Sequence, residues 1–219
     1  MKGILAIFVA QFFFKMTKSE FIDRYIYCFE YDFANINRDK IIAENTQSYL
    51  FEVLKDGIEY AVLSPTLQKS EYYAYLYERG SVARQQIVFR CAYIMEKIYF
   101  SDPDMINHPD LEFIHLCLIV KNKSAMRHFS KILAHALQRK KIRLTDSERD
   151  RLIETLADWV SDQSLKVAVK VWVFECFLEL QKKSETARQI TIAMWDLFSQ
   201  NPTPGMIVRL KQWHKYLYE

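Results

Sequence analysis

The sequence predicts an all-α protein, a right-handed solenoid of stacked helix pairs with about eleven helices and no sheet. Three observations carry that prediction. Apolar residues recur at helical spacing along almost the whole chain, and half of the residues are hydrophobic, enough to bury a sizeable core and to exclude overall disorder. With 4 Gly and 5 Pro in 219 residues, tight β-turns and Gly-rich phosphate loops have almost nothing to be made from. The last three helix pairs begin near residues 110, 146 and 185, intervals of 36 and 39, which is repeat-like spacing. The turn inside each pair is short, so its helices must run antiparallel, and pairs stacked side by side grow into a solenoid.

Taken in order, residues 1–15 form a hydrophobic N-terminal segment. Lys2 followed by Ile4 to Phe14, interrupted only by Gln11, has the positive and apolar regions of a signal peptide and is too short to span a bilayer. No small-residue cleavage site follows in 15–20, so an upstream extension before a start at Met16 and an extra packed helix stand as the other readings. Residues 16–103 form an aromatic-rich helical half that caps one end of the stack, and 104–219 the repeat-like half, in one continuous domain.

The capping box Thr17-Lys18-Ser19-Glu20 opens a helix that Asn35-Ile36-Asn37 should break. Arg38 to Lys55 should be the next helix, ended by Asp56-Gly57. Ser64-Pro65 starts a Tyr-rich helix closed by Gly80, Ser81 caps Val82 to Phe100, and Asp102-Pro103 with His108-Pro109 bracket a loop. Beyond it, helices are expected over Asp110 to Val120, from a Ser124 cap to about Lys141, and from the capping box Thr145 to Glu148 as far as Val160. Leu165 to Lys183, Glu185 to Ser199 after a Ser184 cap, and a last helix with Pro204 in its first turn complete the series. Trp159, Val167, Val171, Phe174 and Ile190 are the expected core between these pairs.

Leu156-Ala157-Asp158-Trp159-Val160-Ser161-Asp162-Gln163-Ser164-Leu165-Lys166-Val167-Ala168-Val169-Lys170 resembles a HEAT repeat, with Asp162 in the inter-helix turn and Val167 and Lys170 opening the second helix. The family's first-helix proline is missing and its basic residue is displaced. The resemblance covers roughly residues 105–219. It implies a curved helical scaffold that binds protein or nucleic acid, usually without catalysis.

Charge is informative by its placement. The net +3 is too small to argue for a nucleic-acid or membrane partner. Lys121, Lys123, Arg127, Lys131, Arg139, Lys140, Lys141 and Arg143, however, occupy one stretch without an acid. Ala125, Met126, Phe129, Ile132, Leu133, Ala136 and Leu137 make its buried stripe, and Arg127, Lys131, His135 and Gln138 line the opposite face. Such a ridge can grip phosphates, or it can be a solvated face balanced by Asp146, Glu148, Asp150, Glu154 and Asp158.

Other chemistry finds little support. Cys28, Cys91, Cys117 and Cys176 are widely spaced among apolar neighbours, which reads as buried free thiols in a reducing, cytoplasmic setting. Glu112 and His115 form half of a di-iron helix motif whose second copy is lacking, so no metal and no cofactor is expected. Gly-x-Ser-x-Gly, P-loop and His-Glu-x-x-His strings are absent, as is the Ser-rich mobile loop of the fumarase superfamily. HEAT-like alkylpurine DNA glycosylases are closer in length, but of their tryptophans followed by Asp only Asp158-Trp159 offers an echo. The reading is a non-catalytic scaffold for a protein partner, with no membrane span. The alternative is nucleic-acid binding or repair through the ridge, and the third is a helical enzyme of unrecognised type.

Overall fold

The structure, a computed structural model, describes residues 16–26, 33–43, 47–59, 80–101, 111–200 and 202–218, with the isolated positions 74 and 78. Among these are ten α-helices and no strand: α1 Lys18–Phe21, continued by a π-helical turn Ile22–Ile26, α2 Phe33–Ala43, α3 Gln47–Glu59, α4 Gly80–Ser101, α5 Leu111–Ile119, α6 Lys123–Gln138, α7 Asp146–Ser161, α8 Val167–Leu180, α9 Glu185–Gln200 and α10 Pro204–Tyr218. The all-helical class is as expected. The N-terminal hydrophobic segment, Cys28, most of the Tyr-rich stretch and the loop at 102–110 lie outside the described residues.

Both expected capping boxes are present. Thr17 and Thr145 each accept from the backbone N–H three residues on, while Glu20 and Glu148 reach back to the cap N–H at 2.7 Å. Elsewhere the breaks shift. Asn35 to Asn37 does not end a helix but lies inside α2, because the Asn37 side chain is buried and donates to the Tyr25 carbonyl at 2.5 Å. The buried Arg90 of α4 donates to the next carbonyl, Ile26, at 2.7 Å, so two carbonyls at the end of the first helical segment are satisfied by side chains from elsewhere. Gly57 does not terminate α3, which runs on to Glu59. A Cβ there would stand 2.8 Å from Cγ2 of the buried Val88, so the glycine permits close approach of α3 to α4. The cap of α6 is Asn122 rather than Ser124, its Oδ1 accepting from the N–H groups of Ser124 and Ala125.

Packing follows a regular order. α4 touches α6 and α6 touches α8; α3 touches α5 and α5 touches α7; and α3 with α4, α5 with α6, and α7 with α8 are in contact as pairs. α9 then packs on α8, and α10 on α9. α8, contacted by α6, α7 and α9, buries Val173, Phe174, Cys176 and Phe177 completely. Of the expected core, Trp159 and Phe174 are buried, while Val171 and Ile190 are half-buried. Val167 departs from expectation at 42% exposed, because as the first residue of α8 it precedes the turn that packs against α6.

Candidate anion-binding face

The basic stretch folds into α6 and the loops at its two ends. Its apolar stripe turns inward as the periodicity requires, with Ala125, Met126, Phe129, Ile132, Leu133 and Ala136 buried and Leu137 half-buried. The polar residues have three different fates.

In the middle of the helix, charges are consumed by neighbours. Glu96 of α4 is 9% exposed and receives His128 Nδ1 on Oε2 and Lys131 Nζ on Oε1, both at 2.5 Å. Burial pushes this carboxyl up, but the hydrogen bonds from His128 and Lys131 and the Lys131 charge outweigh it and hold it below the usual range. Glu96 is therefore the ionised acceptor and His128 donates from Nδ1. The Lys131 ammonium also lies over the rings of Phe100 and Trp172, 4.5 and 5.8 Å from their centroids. One turn on, His135 Nδ1 lies 2.9 Å from the Tyr99 hydroxyl. Burial, then the charges of Arg139 and Lys141, push the imidazole below its ordinary value.

A second buried carboxylate ties the next helices. Glu175 of α8 accepts from Gln138 Nε2 at 3.2 Å, Arg209 Nη1 at 3.0 Å and Trp213 Nε1 at 2.7 Å, joining α6, α8 and α10. Arg209 lies over Trp172, 5.0 Å from the ring centroid, and Trp213 packs on Phe174 at 4.3 Å. Each glutamate is multiply satisfied, as a buried charge must be.

At its C-terminal end, α6 stops in a Schellman turn. Lys141 N–H bonds to the Ala136 carbonyl and Lys140 N–H to the Leu137 carbonyl, with Lys140 at a left-handed φ of 54°. Arg139, Lys140 and Arg143 are exposed here, and Lys141 is half-buried. At the other end, Lys121, Lys123 and Arg127 are exposed. Lys123 pairs with Asp162 at 3.2 Å and donates to Ser164 Oγ. Hydrogen bonds from the Ser164 hydroxyl and N–H, and then Lys123, lower the Asp162 carboxyl to about 2.

The N-terminal ends of α6 and α8 border a groove of about 260 Å³, lined by Phe89, Lys123, Ser124, Arg127, His128, Ser164, Lys166 and Val169. The ridge is thus not continuous. Lys123 and Lys131 take Asp162 and Glu96 as partners, Asp146 pairs with Arg149 within its own helix, and Glu148 serves its capping box. Arg127 and Arg139 are twelve residues apart, which is about 18 Å along the helix.

No protein-family model matches the chain, and neither a curated protein nor a solved structure matches it. Among the described residues no group of three or more His, Cys, Asp or Glu is placed to hold a metal ion, and His115 is exposed on α5 while the Glu112 side chain lies outside the described residues. No described helix is long and apolar enough to cross a membrane. Cys91, Cys117 and Cys176 are buried free thiols, and burial pushes all three up, away from thiolate chemistry.

Sequence reasoning missed Glu96, Glu175 and Lys166. The two acids had a signal: each sits in an apolar helix, Glu175 between Phe174 and Cys176 and Glu96 after Ile94-Met95, where an acid has no polar face to occupy. Nothing local in the sequence placed Lys166 beside Arg127.

Proposed function

We propose that this chain is a non-catalytic scaffold, a right-handed HEAT-like solenoid of helix pairs that holds a protein partner in the cytoplasm. The observation that carries the reading is the packing order: α4, α6 and α8 touch in sequence, α3, α5 and α7 touch in sequence, and the pairs join across. Intervals of 36 and 39 residues between pair starts agree with it. The use of the titratable groups also supports it. Glu96 and Glu175 spend their oxygens on binding helix to helix, and the described thiols are held protonated. The final pair, α9 and α10, leaves Leu197 57% and Val208 62% exposed, with Ile192 and Ile207 also exposed, which is apolar surface that a protein partner can cover. Capture on the immobilised chain followed by mass spectrometry, with a nuclease-treated control and Leu197→Asp/Val208→Asp as comparison, tests the reading. Partners retained by the native chain and lost from the folded variant are expected. An identical profile for both would remove the apolar pair as the docking surface.

A second reading, nucleic-acid binding, is favoured by the exposed Arg139, Lys140 and Arg143 after α6. It calls for salt-dependent binding of labelled DNA or RNA that Arg139→Glu/Arg143→Glu abolishes. Equal binding by native chain and variant at low salt would end that reading.

A further inference from the structure

The groove between the N-terminal ends of α6 and α8 has a composition that the scaffold role does not use. It brings together Arg127 and Lys166, both exposed and both without a carboxylate partner among the described residues. Arg127 comes from the second turn of α6, whereas Lys166 stands at the cap position of α8, so two different helices deliver cations to one concavity. A third cation, Lys123, reaches the same groove but is shared with Asp162 and Ser164.

A buried group points the same way. His128 is 5% exposed, its ring lies 5.6 Å from that of Phe89 and 5.3 Å from that of Tyr93, and its Nδ1 is fixed on Glu96. That leaves Nε2 on the opposite edge of the ring with no partner among the described residues, in a side chain that lines the groove. A buried polar atom without a partner is costly, and a ligand that bonds to it removes the cost.

We propose that this groove binds the phosphoryl group of a small phosphate monoester. Arg127 and Lys166 supply the positive charge, and His128 Nε2, with the ring proton on Nδ1 toward Glu96, accepts the O–H of the phosphoryl monoanion. Phe89 and Val169 line the groove with apolar surface, which suits an organic body attached to the phosphate better than a bare ion. A volume of about 260 Å³ suits a small molecule and not a folded segment. A polyanion is the poorer fit, because the next exposed cations along α6, Arg139 and Lys140, lie about 18 Å away beyond the ion-paired Lys131. The inference does not depend on the scaffold reading, since the groove belongs to the α6 and α8 ends and the exposed apolar residues to α9 and α10.

The test is isothermal titration of the full chain with phenyl phosphate and with inorganic phosphate, a 20-nucleotide single strand being run in parallel. Amide chemical shifts of Ser124, Ser164 and residues 167–169 are followed by NMR. Phenyl phosphate is expected to bind about tenfold more tightly than inorganic phosphate. Arg127→Ala/Lys166→Ala is expected to weaken it by about tenfold or more, and Arg127→Lys by less. Both positions are exposed, so the thermal midpoint should hold and loss of binding reads the site. Shift changes spread over the chain, equal binding by native protein and double variant, or preference for the oligonucleotide over phenyl phosphate would each overturn the proposal. Binding of inorganic phosphate as tight as that of phenyl phosphate would overturn the organic body as part of the ligand.

Discussion

The indole Nε1 of Trp213 donates to Oε1 of Glu175 across 2.7 Å, so the last helix is fastened to a carboxylate that α8 carries into the interior. The same oxygen takes Arg209, and the other takes Gln138. Glu175→Ala would strand a buried indole N–H and a half-buried guanidinium together. A loss of about 2 to 3 kcal/mol is expected, lowering the thermal midpoint by roughly 5 to 10 °C. Glu175→Gln, which keeps an acceptor, should lose less. A midpoint equal to that of the native chain in both variants would mean that α10 does not dock through this group.

Trp159 is buried at the end of α7, in the core that also holds Leu152, Ile153 and Leu156. Trp159→Ala removes the largest side chain of this group, and a cost of about 3 to 5 kcal/mol is expected in chemical denaturation. A value near zero would place the indole outside the packed core.

His135 has a pH signature. Its folded pKa lies below the ordinary value, by burial and by Arg139 and Lys141, so in the window beneath 6.5 the unfolded chain takes up the proton first. The stabilisation is complete above the unfolded pKa and is lost as pH falls through the folded one. An NMR titration should find the His135 midpoint below 6.5, and Arg139→Ala should move it upward. An unmoved midpoint in the variant would exclude the Arg139 charge as a cause.

Lys140 holds a left-handed φ of 54° where most helices ending in this turn place glycine. Lys140→Gly should stabilise the chain by about 1 kcal/mol, since glycine meets no Cβ penalty there. Destabilisation on this exchange would show that the lysine side chain contributes more than its backbone strain costs.

Gly57→Ala sets two effects against each other. Alanine gains about 1 kcal/mol of helix propensity, but its Cβ would stand 2.8 Å from Cγ2 of Val88, a stiff and buried side chain. Overpacking of this kind costs about 1 to 3 kcal/mol, so a net loss is expected. Val88→Ala should then be tolerated better in the Gly57→Ala background than alone. Additive losses in the double variant would place the conflict elsewhere.

What the sequence by itself determined is what neighbours in the chain decide. The boxes at Thr17 and Thr145 and the cap at Ser184 involve partners three residues apart, and all three are present as read. The buried stripe of α6 follows from helical periodicity alone. The tertiary structure decided the rest. Asn37 reads as a breaker until Tyr25 offers a carbonyl, Gly57 as a terminator until Val88 approaches, and Val167 as core until its place on the first turn of α8 is known. The basic ridge divided for the same reason. Glu96 lies 35 residues from Lys131, and Lys166 lies 39 residues from Arg127, so neither the neutralised middle nor the two-cation groove exists until α4, α6 and α8 stack. Local hydrogen bonds and periodicity select helices, but the charge a surface presents depends on which distant residues packing brings within bonding distance.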